Sequence, residues 1–182
     1  MILIIGKSTL AKQLQSIISD SVVVGRPEYD LSSKESCDKL ISDYQPTLLI
    51  NTQAVNESHD SWEILSTNYV GIVYLTIGFY NKMPAGQIIN VSSASTFWPS
   101  WPNISDGRLC YNISKESLST FGKHFNRKII DNVDKKTKVS TVELGKFNSK
   151  FNNFSGGMNV DKAASIIKFC VDHPMELISC LY

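Results

Sequence analysis

The sequence predicts an α/β fold: a doubly wound parallel sheet of about six or seven strands with helices on both faces. Three observations carry that expectation. The apolar runs are short, rich in Val and Ile, and uninterrupted by polar alternation, as strands buried on both faces require. Segments with a helical period separate them, and right-handed crossovers then give the doubly wound arrangement. The polar residues with chemical potential fall at the carboxyl ends of those strands or on the helix that follows, where ligands bind in such sheets.

Taken in order, Ile2–Ile5 reads as a first strand, followed by a helix carrying Leu10, Leu14, Ile17 and Ile18. Val22–Val24 leads through a turn containing Pro27 to a helix from Ser33 to about Tyr44. Leu48–Asn51 precedes a long helix, roughly Ser61–Lys82, with Ile64, Leu65, Ile72, Leu75 and Phe79 on one face. Beyond that stripe lie Trp62, Tyr69, Val73 and Tyr80, an aromatic surface suited to an interface. Gln87–Ser92 leads into a Trp- and Pro-containing loop and a helix from about Gly107 to Ile130. Val139–Glu143 is a further strand, Val160–Val171 a last helix, and Leu177–Leu181 one more strand.

The 182 residues fit one domain, 1–182, with no repeat or low-complexity linker. At 42% hydrophobic and 19% charged, the chain can bury an ordinary core. Eighteen basic residues against 17 acidic ones, with no block of like charge, give no footing for nucleic acid or a membrane surface. The apolar stretch Met1–Ile5 is too short for a signal peptide or a membrane span. Cys37, Cys110, Cys170 and Cys180 lack any Cys-x-x-Cys spacing and read as core thiols in a reduced, cytoplasmic setting. His59, His124 and His173 are scattered, so no metal site is expected.

Gly6-Lys7-Ser8-Thr9 looks like the end of a phosphate-binding P-loop, but that motif needs a glycine five residues before Gly6, where Met1 stands. What remains is a strand, a sharp turn and a helix N-terminus whose N–H groups can face an anion. The alternative for this turn is an ordinary βα connection. Tyr111-Asn112-Ile113-Ser114-Lys115 is more telling. It sets a phenol and an ammonium four residues apart on one helix face, and the stripe continues inward through Leu118, Gly122, Phe125 and Ile129. A tyrosine there can be packing; an inward lysine is harder to dismiss, because burying an unpaired ammonium costs several kcal/mol. Upstream, Asn90-Val91-Ser92-Ser93 ends a buried strand with two hydroxyls, and Asn68 interrupts the apolar stripe of the long helix.

With these residues in this order, the chain resembles the short-chain dehydrogenases/reductases, whose fold is Rossmann-like. Ile2–Ala11 is similar to the cofactor turn, and Leu48-Leu49-Ile50-Asn51-Thr52-Gln53-Ala54 to the Asn-Asn-Ala-Gly strand end. Asn68-Tyr69-Val70-Gly71 resembles the asparagine-bearing helix, Ile88–Ser93 the serine strand, Tyr111–Lys115 the Tyr-x-x-x-Lys motif, and Val142-Glu143-Leu144-Gly145 the later Pro-Gly segment. The resemblance implies a tetrad of Asn68, Ser93, Tyr111 and Lys115, with Ser93 preferred to Ser92. In these roles Tyr111 is the proton donor, Lys115 supports its phenol and the cofactor ribose, Ser93 holds the substrate oxygen, and Asn68 positions a water. It also implies cofactor contacts from Gly6, Lys7, Ser8, Thr9, Leu10, Arg26, Asp30, Asn51, Thr52, Gln53, Tyr111, Lys115 and Gly145. The departures are a worn glycine turn, a strand end without its glycine, Leu144 in place of a proline, and shortened segments after Arg26 and Gly145. The Ser93–Tyr111 interval is longer than usual and carries Phe97-Trp98-Pro99-Ser100-Trp101-Pro102, either a pocket wall or a packed surface loop.

The resulting expectation is an NAD(P)-dependent oxidoreductase acting on a small carbonyl or alcohol, as a homodimer or homotetramer. A dinucleotide-binding protein with little or no turnover is the rival. A sugar-nucleotide reductase or epimerase of the extended branch is a third reading, resting on the short chain between Arg26 and Asn51. NADP(H) is expected over NAD(H), because Val22–Val24 ends in Gly25-Arg26 with no carboxylate until Glu28. Arg26 can grip a phosphate and Lys7 can add charge, with Asp30 as the counterweight.

Overall fold

The computed structural model describes residues 1–56, 59–94, 104–132, 134–149, 153, 156–174 and 177–180. Six parallel strands form one sheet: β1 (Ile2–Ile5), β2 (Ser21–Val24), β3 (Leu48–Asn51), β4 (Ala85–Ser93), β5 (Lys136–Leu144) and β6 (Leu177–Cys180). Their order is β2-β1-β3-β4-β5-β6, so the winding reverses between β1 and β3 and leaves a crevice at their carboxyl ends. The helices are α1 (Thr9–Ile17), α2 (Lys34–Asp43), α3 (Ser61–Leu65), α4 (Ile72–Lys82), α5 (Asp106–Ile129) and α6 (Val160–Asp172).

The strands have two buried faces, as their sequences require. Leu3, Ile5, Leu49, Ile88 and Val139 point to the layer of α2, α4 and α5, meeting Leu40, Leu75, Phe79, Leu118 and Phe125. The alternate residues Ile4, Ile50, Ile89, Val91, Val142 and Leu144 meet Leu10, Leu14, Ala163, Ala164 and Ile167 on the other side. Helix starts are set locally by polar caps: Ser8, Ser33, Asp60, Ser105 and Asn159 each accept a backbone N–H with the side-chain oxygen.

The long helix expected over Ser61–Lys82 is continuous in extent but not in geometry. Between α3 and α4 the chain makes a π-helical turn over Ser66–Gly71, with Asn68 inside it. Gly71 permits that turn to lie against Leu31, since an added Cβ would come within 2.2 Å of the Leu31 carbonyl oxygen. Two packing expectations are corrected. Tyr80 is buried, its ring edge-on to Phe125 at 5.2 Å, because α5 crosses over that end of α4. Ile17 is 38% exposed, and Ile18, past the end of α1, fills the core instead. The strands β4 and β5 extend several residues beyond the expected amino ends, where Thr137 Oγ1 donates to the Met83 carbonyl.

Candidate active site

Lys115 is the least ordinary side chain in the fold. It lies on α5 with 3% exposure, and Nζ donates to the Val91 carbonyl of β4 at 3.1 Å. An ammonium has three N–H donors, and among the described residues this main-chain carbonyl is its single hydrogen-bond partner. Burial lowers its pKa to about 8. β4 and α5 are bound from the other direction too: Ser92 Oγ donates to the Lys115 carbonyl at 2.8 Å and accepts from Ser119 Oγ at 3.0 Å. The Ser92 hydroxyl is thus committed to the β4–α5 contact, and Ser93 is the half-buried hydroxyl of the strand end.

Tyr111 sits one turn before Lys115, half-buried, and its carbonyl accepts from Ser114 Oγ at 2.7 Å. One turn earlier again, Arg108 places its guanidinium 6.0 Å from the centroid of the Tyr111 ring. Sequence reasoning missed Arg108, although its spacing of three from Tyr111 was the available signal. It also missed Glu143 as a site neighbour: this carboxyl, 3% exposed, lies beside Ser92 in the sheet register.

Asn68 is fully buried. Its Oδ1 accepts from the Val55 amide at 2.8 Å and its Nδ2 donates to the Val55 carbonyl at 2.9 Å. The π-helical turn therefore braces the segment that follows β3. Asn51, at the end of β3, is fully buried: its Nδ2 donates to Asn90 Oδ1 at 2.6 Å, and Thr76 Oγ1 donates to the same oxygen at 3.2 Å. Thr52 Oγ1 donates to the Ile5 carbonyl at 2.8 Å.

The crevice between β1 and β3 holds a cavity of about 230 Å³ lined by Gly6, Lys7, Ser8, Arg26, Gln53, Ala54 and Val55. Gly6 has φ +116°, and an added Cβ would lie 2.7 Å from Thr52 Oγ1 and 2.8 Å from the Gln53 nitrogen, so only glycine allows this close approach. Ser8 heads α1, Thr9 and Leu10 begin it, and the Leu10 side chain belongs to the core. Arg26 is ion-paired twice, Nη1 to Glu63 at 2.6 Å and Nη2 to Asp30 at 3.0 Å, and Nη2 also bonds Thr67 Oγ1. Burial works against its proton, but the hydrogen bonds to Glu63 and Asp30 outweigh that and raise the pKa. Lys7 pairs with Glu28. Gly145 is buried just after β5, and Phe97–Pro102 lie outside the described residues.

No family model matches the sequence, and no curated protein is similar to it at the level of sequence. Solved structures do match. A short-chain dehydrogenase from Sphingobium yanoikuyae in complex with NADPH aligns at TM-score 0.80 and 12% identity over 98% of this chain and 87% of that one. A short-chain dehydrogenase from Burkholderia cenocepacia J2315 in complex with NADP aligns at TM-score 0.79 and 16% identity over 100% and 88%. The 3-alpha-hydroxysteroid dehydrogenase of Pseudomonas sp. B-0831 complexed with NADH aligns at 0.79 and 14% over 98% and 94%. The chain has the Rossmann-like fold of the short-chain dehydrogenases/reductases along its length.

Proposed function

We propose that this chain is a short-chain dehydrogenase/reductase: a cytoplasmic NAD(P)(H)-dependent oxidoreductase that interconverts a carbonyl and an alcohol. The observation that carries the reading is Lys115, a buried ammonium with unused donors one helical turn from a half-buried tyrosine. A fold has little reason to hold such a charge for packing alone. The residues fit a nicotinamide dinucleotide on two counts: Lys115 has donors left for a ribose, and the Gly6 turn borders a cavity at the carboxyl ends of the strands. When bound, the nicotinamide supplies or accepts the hydride. Tyr111 then donates its phenolic proton to the alkoxide oxygen, and Lys115 makes that release possible near neutral pH by stabilising the tyrosinate. Ser93, the half-buried hydroxyl at the end of β4, holds the substrate oxygen. Asn68 has one amide hydrogen left beyond its two bonds to Val55, enough to hold a water, and its firmer role is to fix the chain around Gln53.

We assign the cofactor as NADP(H) in preference to NAD(H). Arg26 closes the crevice at the end of β2, and its Nε–H is buried without a partner even though both Nη atoms are engaged. Calorimetric titration with NADPH and NADH at low salt should give tighter binding of NADPH, and Arg26→Ala should remove most of the difference. Tighter NADH binding, or an Arg26→Ala protein with unchanged NADPH affinity, contradicts the assignment. Loss of measurable binding to both would favour neither enzyme nor dinucleotide binder.

The same reading includes a homodimer or homotetramer. Val70, Ile77 and Ile113 are 57%, 41% and 45% exposed on the outer faces of the π-helical turn, α4 and α5. Ile113 also lines a shallow groove with Tyr69, Phe121 and His124. Two such faces pair by a twofold axis. Light scattering at micromolar concentration should give a multiple of 20.3 kDa, and a monomer there rejects this part of the proposal.

A further inference from the structure

Arg108 stands at the outer end of the stripe that carries Tyr111 and Lys115. The three are spaced i, i+3 and i+7, which sets them on one face of α5. The backbone there is fixed: the Arg108 N–H donates to Ser105 Oγ at 3.1 Å, and Arg108 is the third residue of the helix. That is a poor place for a cation. The peptide dipoles of a helix leave partial positive charge over its first turn, where a carboxylate gains and a guanidinium loses. The Arg108 side chain is half-buried nonetheless, with its guanidinium 6.0 Å from the centroid of the Tyr111 ring. That separation is the outer limit of cation–π attraction, so the ring is a weak reason for an arginine at this position. At the inner end of the stripe Lys115 carries a second cation, and among the described residues no carboxylate pairs with it. Positive charge therefore brackets the phenol, from Cα atoms about 10 Å apart along the helix axis.

We propose that Arg108 is the specificity-determining residue for the substrate: it selects carbonyl compounds that carry an anionic group, a carboxylate or a phosphate, a few bonds from the reacting carbon. This rests on the reading of Tyr111 as the proton donor. A guanidinium presents its N–H donors in one plane, as a fork that matches two oxygens of either anion. With the oxyanion on Arg108 and the carbonyl oxygen on the Tyr111 hydroxyl, one small molecule engages both groups. The anion then fixes which carbon faces the phenol, so its binding is expressed as orientation at the reacting centre. Lys115 is 3% exposed and bonded to the Val91 carbonyl, so the half-buried Arg108 is the cation of the pair that an anion arriving from solvent meets.

The test uses the whole protein with NADPH and three aldehydes of similar shape: 4-nitrobenzaldehyde, 4-carboxybenzaldehyde and 4-formylphenyl phosphate. Wild type should favour an anionic aldehyde over the nitro compound at least tenfold in kcat/KM, and the better of the two names the group. The preference should shrink as salt rises. Arg108→Met should cut kcat/KM for the favoured anionic aldehyde at least tenfold more than for the nitro compound, and Arg108→Lys should recover part of that difference. A wild type without the preference overturns the assignment. So does an equal loss on all three aldehydes, which marks an arginine that only supports Tyr111. Binding is read separately, by calorimetry with benzoate, phenyl phosphate and benzamide in place of the aldehydes. Anion binding that exceeds benzamide binding tenfold and is lost in Arg108→Met, with no aldehyde reduced, supports this inference and counts against turnover alone. Reduction of the nitro compound with no excess binding of either anion overturns this inference and leaves the dehydrogenase reading standing. Neither anion bound and no aldehyde reduced overturns both. Should Arg108→Met fail to fold, Arg108→Gln, equally uncharged, carries the same comparison.

Discussion

Tyr111→Phe should lower turnover about 10²–10⁴-fold, the range for loss of a positioned proton donor, while leaving dinucleotide affinity nearly unchanged. The substitution removes one oxygen from a half-buried side chain on α5 and leaves the ring, with its Arg108 neighbour, in place. On the proposed mechanism the step affected is proton delivery to the alkoxide, so the loss should fall on the rate rather than on binding. A single-turnover assay with saturating NADPH and a reactive carbonyl separates the two. A Tyr111→Phe enzyme that works at the wild-type rate on any substrate found removes Tyr111 from the mechanism. The rival reading, a binder without turnover, predicts that the wild-type and variant proteins are equally inert and bind equally well.

Lys115→Met should do the opposite to stability from what it does to function. The fall of the ammonium pKa from 10.5 to about 8 corresponds to about 3 kcal/mol of differential interaction. Because the folded-state value is depressed, the unfolded chain holds the proton more tightly, and the cost of burying the charge is fully present below pH 8. It declines as pH rises from about 8 toward 10.5, since the folded protein is then neutral at this site while the unfolded chain must still lose its proton. Urea unfolding should therefore find Lys115→Met more stable than wild type at pH 7, by up to about 3 kcal/mol. The advantage should shrink across the interval from pH 8 to 10.5, while dinucleotide affinity and turnover both drop. A stability difference that does not change with pH, or that favours wild type at pH 7, refutes the account of Lys115 as an uncompensated buried charge.

The architecture was legible because period and burial agree in this chain. Leu48–Asn51 and Ile2–Ile5 are apolar on both faces, which a parallel strand requires, and each is found in the expected place. The starts of α2, α3, α5 and α6 were legible to within a residue from the apolar period. The burial of Tyr80 was not, because it depends on α5 crossing α4, a contact between residues far apart in sequence. The π-helical turn was hidden because Ile64, Leu75 and Phe79 keep ordinary α-helical spacings in sequence across it. At the candidate site the spacing of Tyr111 and Lys115 announced a shared face, and the inward lysine was foreseeable. That Ser92 bonds α5 was foreseeable only from the pleat. The engagement of Arg26 by Glu63 joins residues 37 apart, and no local pattern reports such a pair.

The paired bonds between β4 and α5 have a consequence for how this protein can change. Lys115 Nζ holds the Val91 carbonyl while Ser92 Oγ holds the Lys115 carbonyl, so strand and helix are fastened to each other directly, through two crossed links. The relative position of the strand end with Ser93 and the helix turn with Tyr111 is therefore inherited from this clasp. A change to either link therefore shifts the strand end and the helix turn against one another, whether or not it touches Ser93 or Tyr111.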